Sequence, residues 1–409
     1  MTSSRVRPST STQLGGDTSA LRTLNLRSVL RVLYGGGSHT IASIAAAAGI
    51  SRPTTTQAIS DLLAAGWIQT ADQVIDKVEK KDGRGRPAQR FEFRPGAGHV
   101  LGVDIGGHKV LVLVSDLSGE IVAERRESLR PTSPRSRRLT IMNEAINAAL
   151  EAAGLSAADI SCAAIATPGV VGPDGKVAHA PAIPEWAGVD LGGHVRNRFG
   201  IPTQVFNDMR MAALAEHWKG VARDASDVVY VHVGRRMGTG LLVAGRPHAG
   251  RHGAAAEIGL WRGLPWAHAY ERLLDLAPGR STDHEDAIQA IFEAAKAGDA
   301  AAQAGIDGFA DLLVEGLAPV MVTIDPELVI IGGGISAAGE AIREPVRVRV
   351  ERETDFPPKV VCSVLGDHSS AIGAVRCALD VAEERLFAEL KPGPGTPAQQ
   401  GAGVALSRG

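Results

Sequence analysis

The chain has 409 residues, which is too long for one compact domain and enough for two or three. Hydrophobic residues make up 44% of it and charged residues 22%, a globular composition that excludes a mostly disordered chain. The net charge is −2, and the longest apolar run falls far short of the roughly 20 residues of a membrane span. Three scattered cysteines and the lack of a basic-then-apolar leader predict a cytoplasmic protein with neither a disulfide framework nor a multi-cysteine zinc site.

The near-neutral total hides an asymmetry between the two ends of the chain. Residues 1–95 hold 13 basic and 7 acidic residues, a net charge of +6, and the remainder has a net charge of −8. A basic head on an acidic body indicates two parts with different partners, and positive charge favours a polyanion as the partner of the head.

The first 95 residues carry helical and then strand-like patterns. Residues 1–20 lack apolar periodicity and are predicted to be a disordered arm. Helical spacing from Leu21 to Gly66 predicts three helices, the second capped by Thr40 and the third by Ser51. Alternating residues at 67–70 and 90–93 predict two strands on either side of a polar, basic loop. The order predicts a winged helix-turn-helix domain over residues 21–95.

From Gly98 the pattern changes to strands, glycine turns and helices, and it occurs twice. The first half opens with a buried strand at 99–105, and the second half opens with a strand at 227–233; a glycine-bearing turn follows each. Two such halves predict a duplicated α/β domain of two lobes over residues 98–388, with a cleft between the lobes. Residues 391–409 are of low complexity and are predicted to be disordered.

Six segments, in their order and spacing, resemble the ROK family (repressors, open reading frames, sugar kinases). They are GVDIGG (102–107), ATPGVVGPDGKV (166–177), VFNDMRMAALAE (205–216), AEIG (256–259), IDPELVIIGGGIS (324–336) and LGDHSSAIGA (365–374). The resemblance covers roughly residues 21–385. It implies a two-lobed, actin-like (duplicated ribonuclease H-like) sugar-kinase fold, with ATP and sugar in the cleft of the kinases. Members with a DNA-binding head are usually repressors.

The start of the third helix is the predicted DNA-reading segment. In a helix-turn-helix, these residues meet base edges in the major groove. The forked side chains of Arg52 and Gln57 suit purine edges, and hydroxyls or methyls of three threonines suit phosphates or thymine; the threonines are Thr54, Thr55 and Thr56. The alternative is that the threonines only cap and turn the chain.

Two further arginines, Arg84 and Arg86, lie where the wing or the following linker is expected. Arginines on an extended, glycine-bearing segment can enter a narrow minor groove, where the potential is most negative. We predict that they contact DNA; the alternative is a solvated linker.

The resemblance assigns a sugar site to the cleft. Asp208 aligns with the catalytic base of the kinases and Asn207 with a ligand of the sugar hydroxyls, although such a pair at a strand–helix junction is also a common helix cap. Glu257 aligns with a sugar-binding glutamate and Glu271 with a second one, and Gly169 belongs to the same predicted site. Carboxylates and amides suit a sugar because they bind hydroxyls in fixed directions.

The predicted nucleotide site departs from the family pattern. It comprises an aspartate and four glycines, Asp104, Gly106, Gly107, Gly234 and Gly333. His108 replaces the threonine of the first phosphate loop, and Arg235 and Arg236 stand in the second loop where the family has a threonine and a glycine. Glycines let backbone N–H groups approach a phosphate, and bulky side chains fill that space, although arginines could also bind phosphate themselves. We therefore predict no enzyme activity and neither ATP nor Mg²⁺ as a cofactor.

Zinc is also predicted to be absent. Many ROK proteins hold a structural zinc ion with a histidine after Glu-x-Gly and three downstream cysteines, whereas Leu260 stands at that position here and residues 261–271 contain no cysteine. The same histidine touches the sugar in the family, so its loss leaves ligand binding open.

These patterns predict a sequence-specific DNA-binding transcriptional regulator, a repressor of carbohydrate metabolism genes, that senses a sugar or sugar phosphate. The predicted partners are a double-stranded operator with an inverted repeat, the effector, and further copies of the chain in a homodimer or tetramer. No membrane partner is predicted. Two alternatives stay open: an ATP-dependent sugar kinase with an appended DNA-binding head, and a ROK domain that is only a ligand-free dimerisation scaffold.

Overall fold

A computed structural model describes residues 18–71, 88–181, 183–234, 236–261, 266–276 and 284–390. The chain forms two compact units: Met1–Ala97 with Glu383–Gly409, and Gly98–Ala382. The division at Gly98 is the predicted one. The predicted end of the second domain, at 388, differs because the final helix contributes its last residues to the first unit.

In the part of residues 1–97 that the structure describes, the first unit forms three helices and a small sheet with the strand order β1-β3-β2. Its elements are α1 (Thr18–Tyr34), β1 (His39–Thr40), α2 (Ile41–Ala48), α3 (Arg52–Ala64), β2 (Ile68–Thr70) and β3 (Arg90–Phe93). Helix α1 begins inside the predicted arm, and the short strand β1 was not predicted. The predicted wing loop and Arg84 and Arg86 lie outside the described residues.

Side-chain caps fix the turn between α2 and α3. Thr40 and Ser43 form a reciprocal capping box at the start of α2, and Gly49 ends that helix with a left-handed φ of 67°. Ser51 caps α3, accepting from the N–H of Thr54 at 3.3 Å. These local bonds orient α3, whose inner face packs on the apolar side of α1.

Residues 387 and 388 pack on α1 in this first unit. Phe387 lies edge-on to Tyr34 with ring centroids 5.9 Å apart, and the guanidinium of Arg31 stacks 5.1 Å from the Phe387 ring. Arg27 Nη2 donates to the carbonyl of Ala388 at 2.8 Å. Residues distant in sequence from α1 therefore belong to its hydrophobic core.

The second unit begins with a five-stranded sheet in the order β10-β7-β4-β5-β6. The elements of this first lobe are β4 (His99–Ile105), β5 (Lys109–Asp116), β6 (Ile121–Ser128), α4 (Arg135–Ala152), β7 (Ile160–Thr167), β8 (Val170–Val171), β9 (Val177–His179), α5 (Leu191–Phe199) and β10 (Thr203–Asn207). Strands β8 and β9 form a separate ribbon.

A second five-stranded sheet follows, in the order β13-β12-β11-β14-β15. The remaining elements are α6 (Asp208–Trp218), β11 (Val228–His232), β12 (Gly238–Val243), β13 (Arg246–Pro247), α7 (Trp266–Leu274), α8 (His284–Lys296), α9 (Ala300–Ile324), β14 (Leu328–Gly332), α10 (Glu340–Glu353), β15 (Lys359–Cys362) and α11 (Ser369–Glu389). None of the helices within the described ranges is long and apolar enough to cross a membrane.

The two sheets have the same topology. In each, the first strand of the lobe pairs antiparallel with the next strand and parallel with a later one, which in turn pairs parallel with the last. Each sheet packs against helices over its own apolar core. The duplicated α/β fold is therefore confirmed, and the glycine turns that follow β4, β11 and β14 lie at corresponding strand ends.

Candidate functional site

Helix α3 presents its N-terminal residues to solvent. Arg52, Thr56 and Gln57 are exposed and Thr54 is half-buried. Thr56 donates its hydroxyl to the carbonyl of Arg52 at 3.0 Å, a hydrogen bond within the helix. The residues predicted to read DNA thus share one exposed end of a helix, with one exception.

The prediction that Thr55 contacts DNA is wrong. Its side chain is fully buried, and its hydroxyl donates to the Ser51 carbonyl at 3.0 Å. In a helix, a residue can face inward next to an exposed neighbour such as Thr56, because successive side chains are rotated by about 100°. The helical period could have identified Thr55 as a core residue.

The junction of β10 and α6 brings three of the predicted sugar-site residues together. Asn207 caps α6, its Oδ1 accepting from the Arg210 N–H at 3.0 Å. Its Nδ2 donates to the Gly169 carbonyl at 3.1 Å and to Glu257 Oε1 at 2.8 Å. Asn207 is therefore both the helix cap and the centre of a polar cluster. The two interpretations made from the sequence, a helix cap and a ligand of sugar hydroxyls, do not exclude each other.

Asp208 lies beside this cluster and is buried. Burial raises the pKa of Asp208 to about 8, and the neighbouring charges of Asp104 and Glu257 act in the same direction. Burial also raises the pKa of Glu257, while the positive charge of Arg210 opposes that shift. A carboxyl group that is largely protonated at neutral pH can donate as well as accept a hydrogen bond, which suits a polyhydroxylated ligand.

Arg210 is a member of the site that sequence reasoning missed. It is only 6% exposed, and its Nε has no hydrogen-bond partner among the residues that the structure describes. Burial lowers the pKa of Arg210, and the charges of Glu257 and Asp208 counteract this. The signal was its position three residues after the Asn207 cap, which places it in the first turn of α6.

The predicted Glu271 is not shown to join this cluster. It lies on the exposed side of α7, while Leu260 and Trp261, where the family motif continues, are 45% and 57% exposed. Within the described ranges no group of three or more His, Cys, Asp or Glu side chains could hold a metal ion. The role assigned to Glu271 stays a prediction.

A lysine ammonium lies beside Asp104, the acidic residue of the predicted nucleotide site. Lys109 Nζ is 3.6 Å from Asp104 Oδ2 and 3.4 Å from Asp367 Oδ2, and it donates to the Asp367 carbonyl. Asp367 also pairs with Arg126. Burial raises the pKa of Asp104, and the Lys109 charge opposes this. The carboxylate thus already has a cation beside it.

A buried arginine holds the first glycine turn. Arg138 is fully buried and donates to the carbonyls of Gly106 and Gly107, and also to those of Arg130, Pro131 and Ser133, at 2.8–3.3 Å. Burial lowers the pKa of Arg138, as does the nearby charge of Arg236. These hydrogen bonds hold the carbonyls of the Gly106–Gly107 turn, which would face a phosphate in a nucleotide site.

The second and third glycine turns converge on the ring of His232. A methyl group added to Gly234 would lie 3.1 Å from His232 Nε2, and one added to Gly333 would lie 3.0 Å from its Cε1. Burial lowers the pKa of this histidine to about 4, so the ring is neutral. Arg236 is exposed, and Arg235 lies outside the described residues.

Residues 100–262 and 269–381 match the ROK family, and residues 22–69 match a winged helix-turn-helix DNA-binding domain. The chain belongs to the ROK family. Among curated relatives, the xylose repressor of Caldicellulosiruptor bescii is 23% identical over 88% of this chain and 96% of its own length. The DNA-binding transcriptional dual regulator NagC of Escherichia coli (strain K12) is 26% identical over 88% of this chain and 93% of its own length.

Solved structures show the same architecture. A ROK family transcriptional regulator, described as a homologue of the E. coli MLC protein, superposes with a TM-score of 0.68 at 21% identity, covering 90% of this chain and 98% of its own. The ROK family glucokinase from Streptomyces griseus, in complex with glucose and AMPPNP, has a TM-score of 0.58 at 28% identity, covering 70% and 100%. The predicted family and fold, a winged helix-turn-helix followed by a sugar-kinase-like ROK domain, are confirmed.

Proposed function

We propose that this ROK protein is a DNA-binding transcriptional repressor of carbohydrate metabolism genes, with a sugar or sugar phosphate as its effector. The observation that carries the proposal is the pairing of an exposed, Ser51-capped α3 with the retained Asn207–Glu257–Gly169 cluster in one chain. The xylose repressor and NagC relatives match along 88% of this chain, so both parts are covered.

DNA recognition follows from the exposed end of α3. Arg52 extends from the first turn of the helix, where a forked guanidinium can reach the O6 and N7 atoms of guanine. If two copies of the chain act together, two such helices meet half-sites about one helical turn apart, which predicts an inverted repeat. A dimer or tetramer is the matching assembly.

Selection of bound duplexes from a random pool tests this part of the proposal. We expect a symmetric consensus sequence. Arg52→Ala should weaken binding by about 1–3 kcal/mol and relax the preference at one base pair in each half-site. A chain that enriches no sequence would contradict the proposed function.

Effector sensing follows from the polar cluster of Asn207, Glu257 and Gly169. Asn207 and Glu257 hold each other at 2.8 Å, and a ligand hydroxyl can add to both because each oxygen accepts more than one hydrogen bond. A ligand changes operator affinity only if it binds the DNA-competent and DNA-incompetent states with different affinity. Operator affinity should therefore be measured across neutral sugars and their phosphates. The ligand-free scaffold predicts that none changes it and that calorimetry detects no binding.

A sugar kinase is the second candidate, and Asp208 beside Asp104 is the observation that favours it. The remaining residues do not fit Mg²⁺ and ATP: Lys109 lies against Asp104 where a metal would need free carboxylate oxygens, and the His232 ring lies between two glycine turns. We propose that the chain uses no ATP, Mg²⁺ or zinc. Steady ATP consumption that depends on a hexose would contradict this.

A further inference from the structure

Asp61 of α3 lies at the centre of a short hydrogen-bond chain in the first unit. Arg22 of α1 donates to both of its oxygens, from Nε at 3.0 Å and from Nη2 at 2.8 Å. Gln57 Nε2 donates to Asp61 Oδ1 at 3.1 Å. The Asp61 side chain is 11% exposed, whereas Gln57, one helical turn earlier, is exposed on the predicted reading face. These hydrogen bonds thus connect the Arg22–Asp61 ion pair between two helices to Gln57, a side chain that can reach a base.

The Asp61 carboxylate determines whether the nitrogen or the oxygen of the Gln57 amide faces it. An ionised carboxylate only accepts hydrogen bonds, so the NH₂ group of Gln57 must face Asp61 and its Oε1 must turn away. One N–H of the same NH₂ group remains. A side-by-side N–H donor and C=O acceptor is the arrangement that binds N7 and N6 of adenine in the major groove.

Arg22 offsets the negative charge of the Asp61 carboxylate next to the predicted DNA-reading face. An unpaired negative charge near DNA would repel the phosphates, but a bidentate guanidinium neutralises Asp61 and holds it in one rotamer. The same two bonds also join α1 to α3. A purely structural role would end there and would have no effect on which base is chosen.

We propose that Asp61, held by Arg22, is a positioning residue for base reading: it fixes the Gln57 amide in the orientation that selects adenine. This rests on the proposed function, since it requires that α3 enters the major groove. Asp61 itself touches no base and acts only through Gln57.

The test uses the full-length chain and a random duplex pool, with wild type, Gln57→Ala, Asp61→Asn and the double variant. Affinities are then measured for the selected duplex and for one in which the adenine pair is replaced. The asparagine amide in Asp61→Asn offers both a donor and an acceptor, so the Gln57 amide can bind it either way round. We expect this variant to reduce discrimination at that base pair by about fivefold, within the range of a bidentate base contact.

Asp61→Asn should at the same time bind unrelated duplex DNA more tightly, by a few-fold. The variant removes a negative charge and leaves Arg22 uncompensated, so the salt dependence should steepen by up to about one released ion. If Asp61 only joined α1 to α3, the Asp61→Asn variant would lose affinity for specific and non-specific DNA to the same extent. In the Gln57→Ala background, Asp61→Asn should cause no further change at the adenine pair.

Glu92→Gln is the matched control. Gln69 Nε2 donates to Glu92 Oε1 at 2.8 Å on the β2–β3 ribbon, so this change removes one negative charge and one glutamine–carboxylate bond elsewhere in the first unit. It should leave the preference at the adenine pair unchanged.

Each result decides the matter. An unchanged base preference in Asp61→Asn, an equal loss of affinity for all sequences, or a Gln57→Ala variant with the wild-type consensus would each overturn the positioning role while leaving the chain a DNA-binding protein. A wild-type chain that selects no sequence would instead refute the proposed function itself.

Discussion

The polar cluster around Asn207 and the one around Asp104 use similar residues in opposite ways. On the side of Asn207, the polar cluster includes a buried arginine whose Nε has no partner in the described part of the chain. On the side of Asp104, Lys109 bridges two aspartates and Arg138 donates to five backbone carbonyls. One side retains hydrogen-bonding capacity for a ligand, whereas the other has turned its charges toward the protein. The charged side chains around these two clusters therefore differ in their partners, although the strand order of the two sheets is the same.

Arg138→Met should have the largest effect on stability. Removal of the guanidinium takes the donor from the carbonyls of Gly106, Gly107, Pro131 and Ser133, whereas the Arg130 carbonyl still accepts from the Ser133 N–H. Because each unsatisfied group that is shielded from water costs about 1–3 kcal/mol, the free energy of unfolding should fall by about 3 kcal/mol. Urea denaturation measures this. Arg138→Lys, which keeps the charge but lacks the five-donor fork, should recover only part of the loss. If the free energy of unfolding falls by less than about 1 kcal/mol, the hydrogen bonds of Arg138 do not contribute substantially to the stability of the fold.

Asp208→Asn should change the pH dependence of stability. Because the folded-state pKa of Asp208 is raised to about 8, the folded chain binds more protons than the unfolded chain between about pH 4 and 8, and stability falls as pH rises through that range. Asparagine keeps the shape without titrating. We expect the variant to lose less stability than wild type between about pH 5 and 8, by on the order of 1–3 kcal/mol.

The comparison between the two proteins isolates Asp208, since the buried Glu216 and Asp104, whose pKa values are also raised, are present in both. Urea midpoints at each pH give the difference directly. Parallel curves for the two proteins would mean that Asp208 is ionised in the folded chain.

Substitutions at Asn207 can distinguish its role as a helix cap from its role in the polar cluster. Of the three predicted changes in the free energy of unfolding, these are the smallest. Asn207→Ala loses the cap bond to Arg210 N–H and should cost about 1 kcal/mol, whereas Asn207→Asp keeps the capping oxygen but brings a second carboxylate against Glu257. Both should abolish the effector's influence on operator affinity, because alanine lacks the amide and the new carboxylate would repel Glu257 across a contact of 2.8 Å. An effector response retained in Asn207→Asp would show that the residue is a cap only.

The sequence predicted the two-part architecture because its signals are local. Caps at Thr40 and Ser51 and the glycine turns after buried strands depend on neighbours in the chain. The burial of Thr55 was also accessible, from the helical period.

What escaped prediction is long-range. The pairing of Lys109 with Asp367 joins residues 258 positions apart, and the five carbonyls around Arg138 come from two separate turns. Strand β1 is two residues long and exists only because β3 pairs with it. Such contacts depend on tertiary packing, which no local pattern in a single sequence records.

The contact of Phe387 with Tyr34 has a consequence for the order of synthesis. A ribosome completes α1, α2 and α3 early, yet the Phe387 ring that packs on Tyr34 is translated only after both lobes of the second unit. In a growing chain, Tyr34 therefore lacks its Phe387 contact until α11 has been made, so the hydrophobic core around α1 is completed late in synthesis.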